Sequence, residues 1–308
     1  MNLNNDKIQK NPSQEEKDLI LKFFTSKKLV EAKKEVDKQI TKYPNSFILF
    51  NILGAILSEQ KHLDEAVENY KKSIKINPDY AEGYNNLGVA LHKLDRIDEA
   101  IDIYKKAISI KNEFAEAFNN LGNAMFETNK LKDSIPYFEK AIKISPNFAM
   151  AYLNLGRAYQ DLGNKNKALE YFRESVKIQP NFAEVYNNMG LAFFDLRKFD
   201  EALLNYKKAI KLNPSYEKTY NNLANLLNGL GKYDEATSIF HQAIKIKPEY
   251  AEAHNNLGVT FKELGKFNES IDSYQRAIKI KPEYAEAYNN LGVTFKELGK
   301  FNESIDSY

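Results

Sequence analysis

The residues with the most regular chemistry in this chain are asparagines. Asn86, Asn120, Asn154, Asn188, Asn222, Asn256 and Asn290 recur every 34 residues. A second set, Asn51, Asn85, Asn119, Asn187, Asn221, Asn255 and Asn289, holds the position one residue earlier in its own units. A carboxamide is donor and acceptor at once, so a row of them can bond the C=O and N–H groups of an extended peptide without choosing its side chains. Two adjacent asparagines cost a helix about 1 kcal/mol relative to alanine, so helix formation alone does not account for them. Duplication is the competing account: residues 251–274 and 285–308 differ only at His254 and Tyr288, and copying spreads a residue without selection at each site.

Covalent and metal chemistry find less support. The four histidines, His62, His92, His241 and His254, fall at different places in the 34-residue unit and so on different faces. They do not converge on a metal. The chain contains no cysteine, which removes disulfides, thiolate sites and redox chemistry at sulfur. No glycine-rich phosphate loop, nucleophile elbow or HExxH spacing occurs. The expectation is a chain without catalytic residues, cofactor or metal.

Lys and Arg number 44 against 42 Asp and Glu, interspersed along the chain, so the basic stripe that a phosphate backbone demands is missing. Nucleic acid is not the expected partner. The first residues lack the apolar core of a signal peptide and no run reaches the length of a membrane span. A soluble, cytoplasmic protein with no membrane partner is expected.

The elements that must position the asparagines follow from the same period. Pro44, Pro78, Pro146, Pro180, Pro214, Pro248 and Pro282 lie on one 34-residue grid, interrupted only by Asn112. A period of this size marks units too small to bury an apolar face alone, which stack on their neighbours. Numbering one unit from Ala251 as position 1, His254, Leu257, Gly258 and Phe261 take the i, i+3, i+4, i+7 spacing of a buried helical stripe. Gly265 ends that helix. Asn268, at position 18, is the expected N-cap of a second helix, with Asp64, Asp98, Asn166, Asp200, Asp234 and Asn302 equivalent to it. Small residues at position 8 (Gly54, Gly88, Gly122, Gly156, Gly190, Gly258, Gly292) are expected to face alanines at position 20, with aromatic residues at positions 4 and 24 as core. The fold class is all-α.

This ladder of an aromatic, Leu-Gly, an aromatic, Ala, an aromatic, Ala and a closing Pro resembles the tetratricopeptide repeat from Phe47 to Tyr308. The resemblance implies a solenoid of antiparallel helix pairs, a right-handed superhelix whose first helices line the concave side. The expected organisation is a disordered tail over 1–12, a degenerate repeat or cap over 13–46, and an array over 47–308. Its repeats are 47–80, 81–114, 115–148, 149–182, 183–216, 217–250, 251–284 and a partial 285–308. Ser13 and Glu16 form a capping box that should start the first helix.

The NNLG units resemble those of O-linked N-acetylglucosamine transferases, and that resemblance implies that Asn86 through Asn290 at position 6 contact a polypeptide. Helical geometry puts positions 2, 6, 9 and 13 opposite the buried stripe. Met150, Leu153, Arg157 and Gln160 break the rhythm there and are candidates for a specificity pocket, with sequence drift as the alternative. Acidic residues at positions 2 and 13 and lysines on the second helices lead to the expectation of a neutral or basic, extended ligand. Function is read as a non-catalytic protein-interaction scaffold; the alternative is the recognition arm of an enzyme with a group-transfer domain beyond Tyr308. The half-built final repeat adds an expectation of self-association.

Overall fold

In a computed structural model, residues 11–305 are described, and the side chains of residues 11–304. The expectations that concern residues 1–10 and Tyr308 lie outside that range. The chain divides into two compact units, Met1–Leu162 and Gly163–Tyr308.

The first unit contains α1 (Gln14–Thr25), α2 (Leu29–Lys42), α3 (Phe47–Glu59), α4 (Leu63–Ile76), α5 (Ala81–Lys93), α6 (Ile97–Ile110), α7 (Ala115–Glu127), α8 (Leu131–Ile144) and α9 (Ala149–Asp161). The second contains α10 (Lys165–Ile178), α11 (Ala183–Asp195), α12 (Phe199–Leu212), α13 (Glu217–Gly229), α14 (Tyr233–Ile246), α15 (Ala251–Glu263), α16 (Phe267–Ile280), α17 (Ala285–Glu297) and α18 (Phe301–Ile305). Each unit is all-α, built of antiparallel pairs; a second helix packs on its own partner and on the first helix of the next pair, as α4 does on α3 and α5.

Local signals explain the boundaries. Ser13 caps α1 as expected: its Oγ accepts from the Glu16 amide at 3.2 Å, and its own N–H donates to Glu16 Oε2 at 2.8 Å. Pro12 is buried and Asn11 Oδ1 accepts from Ser46 Oγ at 2.8 Å, so ordered packing already includes these two residues of the expected tail. Gly265 stops α15 in the left-handed region at φ 69°, and its equivalents Gly163, Gly231 and Gly299 do the same. Lys61, Asp95, Asn129 and Arg197 adopt the same conformation without being glycine.

The caps of the second helices fall two residues earlier than expected. Lys266 is the N-cap of α16 and gives no side-chain bond, so Asn268 is already helical, as are Asp64, Asp98, Asn166, Asp200 and Asp234. The left-handed residue at position 15 turns the chain so sharply that the Lys266 N–H closes on Phe261 O at 2.8 Å and the helix begins at once. Where acidic residues occupy position 18 they lie in the first turn, where carboxylates complement the helix dipole. Asn164 is the exception, accepting from the Lys167 amide at 3.2 Å.

The core is the aromatic ladder at position 24. Tyr70, Tyr104, Phe138, Phe172, Tyr206, Phe240 and Tyr274 are all buried. The glycines at position 8 exist for these rings: a Cβ on Gly88 would stand 2.5 Å from Tyr104 Cε1, and one on Gly190 2.6 Å from Tyr206 Cδ1. Position 20 also faces position 8, since Ser270 Oγ donates to Gly258 O at 2.8 Å. The ring, which the sequence comparison of small residues had not singled out, is the group that excludes a side chain. Burial pushes the Tyr70, Tyr104 and Tyr206 phenols well above their ordinary value.

Candidate functional site

The asparagine pairs lie on the first helices α5 and α7 of one unit and α11, α13, α15 and α17 of the other, while α3 carries only Asn51 and α9 only Asn154 of the two positions. The two members of a pair do different things. Position 5 points into the contact between repeats and is buried at Asn85, Asn119, Asn187, Asn221 and Asn255. Position 6 of the following repeat donates to it. Asn86 Nδ2 reaches Asn51 Oδ1, Asn120 reaches Asn85, and Asn154 reaches Asn119, each at 3.0 Å. In the second unit Asn222 donates to Asn187 at 3.0 Å, Asn256 to Asn221 at 3.2 Å, and Asn290 to Asn255 at 3.0 Å. The sequence signal was present, since the partners always stand 35 residues apart, but the lock between repeats was not read from it.

The bond uses one N–H of the position-6 amide and fixes the carboxamide in orientation. Asn86, Asn120, Asn222 and Asn290 remain half-exposed. Their Oδ1 atoms accept no hydrogen bond among the described residues. Asn154 differs: only 6% of it is exposed. Asn188 and Asn256 are half-exposed, and their Oδ1 atoms accept long bonds of 3.4 Å from Asn187 and Asn255.

The four residues that break the rhythm separate in the same way. Leu153 takes the buried position 5 and is fully enclosed, and Gln160 is 5% exposed, so neither offers surface to a ligand as the expected pocket required. Met150 is 39% exposed. Arg157 is half-buried with its guanidinium over the Phe126 ring, 4.9 Å from the centroid. Phe126 was not singled out from sequence, because an aromatic residue at helical spacing reads as core.

Charge is distributed differently from the residue count. The acids of the inner positions are largely committed to neighbouring repeats: Glu59 to Lys27 at 2.9 Å, Glu82 to Lys111 at 2.8 Å, Glu127 to His92 at 2.6 Å, Asp195 to Lys165 at 2.7 Å, and Glu297 to Lys262 at 3.5 Å. The Lys27 hydrogen bond holds the Glu59 carboxyl below its usual value. Glu286 accepts from Asn255 Nδ2 at 3.2 Å. His254 donates from Nε2 to Pro248 O at 3.0 Å, and burial lowers its pKa. Among the described residues no group of three or more His, Cys, Asp or Glu could hold a metal ion, and no helix is long and apolar enough to cross a membrane.

Stacked helix pairs, position-8 glycines against position-24 rings and a 34-residue period define a helical-repeat protein. Family models described as TPR repeat match residues 54–95, 91–129, 225–265 and 260–299, and others described as tetratricopeptide repeat match 113–181, 183–216 and 205–237. The chain belongs to the tetratricopeptide repeat family. Among solved structures, the crystal structure of the APC/C hetero-tetramer Cut9-Hcn1 is similar at TM-score 0.70 and 18% identity, over 86% of this chain and 52% of that one. The chain thus spans about half the length of that relative, and the likeness is one of fold. The crystal structure of YrrB, a TPR protein with an unusual peptide-binding site, matches 60% of this chain and 95% of that one at 24% identity and TM-score 0.45. The comparison with curated proteins returned no match.

Proposed function

We propose that this chain is a protein-interaction scaffold whose first helices bind an extended polypeptide segment through the position-6 carboxamides. Asn86 and Asn120 serve in the Met1–Leu162 unit, and Asn188, Asn222, Asn256 and Asn290 in the Gly163–Tyr308 unit. Asn154, buried, serves the lock between repeats. The observation that carries the reading is the oriented carboxamide: one N–H is pinned to the preceding repeat while Oδ1 accepts from no partner among the described residues at Asn86, Asn120, Asn222 and Asn290. Such a group accepts from a peptide N–H and offers its second N–H to a carbonyl without first losing rotamer freedom. Backbone recognition of this kind tolerates many side chains.

The test uses the purified chain, immobilised, and a degenerate mixture of 12-residue peptides with or without backbone N-methylation. Removing the peptide donors should cut retention roughly tenfold, the effect of losing one or two hydrogen bonds. Equal retention of both mixtures would show that the backbone is not what the carboxamides hold.

A further inference from the structure

We propose that Arg157 selects an acidic side chain, Asp or Glu, in the extended segment bound by the Met1–Leu162 unit. This rests on the peptide-binding reading above and adds a side-chain preference to it. Arg157 lies in α9, and its guanidinium carbon lies over the Phe126 ring of α7, 4.9 Å from the centroid. It makes no hydrogen bond and no ion pair among the described residues. With no polar partner among the described residues, its five N–H donors stay open as a fork that matches a carboxylate. The ring also restrains the side chain in advance, which lowers the entropy lost when a ligand binds.

The surrounding acids do not compensate this charge. Glu127, next to Phe126, is bonded to His92 Nε2 at 2.6 Å and to Asn123 Nδ2 at 2.8 Å. Asp161 stands four residues after Arg157 in the same helix, a spacing that permits an ion pair, yet none forms. A half-buried cation with an unfilled fork is completed by a carboxylate from outside.

The experiment uses the full chain, immobilised, with degenerate 12-residue peptide mixtures fixed at one central position as Glu, Gln or Lys, retention being read by mass spectrometry. The Glu mixture should be retained roughly tenfold over the Gln mixture, the usual size of a charge-assisted hydrogen-bond effect. Arg157→Gln should bring that ratio to about one, and Arg157→Lys, which keeps the charge and loses the fork, should restore only part of it. Phe126→Leu should lower the ratio with Arg157 intact; thermal melts establish that each variant is folded. Equal retention of Glu and Gln mixtures by the unaltered chain overturns the selector and leaves peptide binding standing, and a preference for Lys overturns it too. A ratio unchanged in Arg157→Gln also refutes it. Retention of no mixture at all refutes the peptide reading and the selector together.

Discussion

Replacing Asn119 by alanine removes the acceptor of a buried bond, and the structure sets the size of the effect. Asn119 and Asn154 are each 6% exposed, and Nδ2 of Asn154 stands 3.0 Å from Oδ1 of Asn119. Alanine gains the helix about 0.6 kcal/mol over asparagine. Against this, an unpaired buried amide costs about 1–3 kcal/mol. Asn119→Ala should therefore lose about 0.5–2.5 kcal/mol, read as an earlier midpoint of urea unfolding followed by circular dichroism. Asn289, at the same position of its repeat, is exposed and makes no hydrogen bond among the described residues. Asn289→Ala should show the propensity term alone, a gain of about 0.6 kcal/mol. The double variant Asn119→Ala/Asn154→Ala removes the stranded amide, so its loss should fall about 1 kcal/mol short of the two single losses added together. If Asn119→Ala stabilises the chain as much as Asn289→Ala, the carboxamides do not lock the repeats, and the orientation attributed to the exposed ones loses its cause.

Gly88→Ala should destabilise by about 1–3 kcal/mol despite its better helix propensity, because its Cβ would stand 2.5 Å from the buried Tyr104 ring; urea midpoints against the parent chain decide it. Arg197→Gly and Lys61→Gly should each stabilise by about 0.5–1 kcal/mol, since both residues are held at positive φ, 58° and 65°, with a side chain that opposes it. Glu16 has its carboxyl lowered from 4.5 to about 2 by the Lys42 hydrogen bond first, then by the Ser13 amide and the Tyr43 hydroxyl. A depressed carboxyl contributes its stability above pH 4.5 and loses it as pH falls toward 2. Acid titration of Glu16→Gln, followed by amide exchange in α1 and α2, should show that pH dependence flattened; an unchanged profile would refute the link.

Much of the fold was legible because the repeat states it many times over. Gly265 with its equivalents, the Ser13–Glu16 box and the position-24 rings are local signals, and each lies where local stereochemistry requires. The cap falls at Lys266 and not at Asn268 because the left-handed turn at Gly265 closes within one residue, and a preference for Asn at caps does not report how tightly the preceding turn closes. The candidate site was legible as a list of asparagines and illegible as an arrangement. Helical periodicity placed position 6 opposite the core, but it could not say that position 5 of the preceding repeat would accept from it. Nor could residue counts show that Glu59, Glu82 and Glu127 would be spent on Lys27, Lys111 and His92 while Arg157 would lie unpaired on Phe126.

By itself the sequence determined the repeat, its two helices, its core rings and the places where each helix stops, because those depend on side chains within one turn or one 34-residue unit. Only the tertiary structure decided which carboxamide oxygen is consumed and which is open, and which charge is matched. Those outcomes depend on how one repeat leans on the next, and a hydrogen bond tests that angle to within tenths of an ångström.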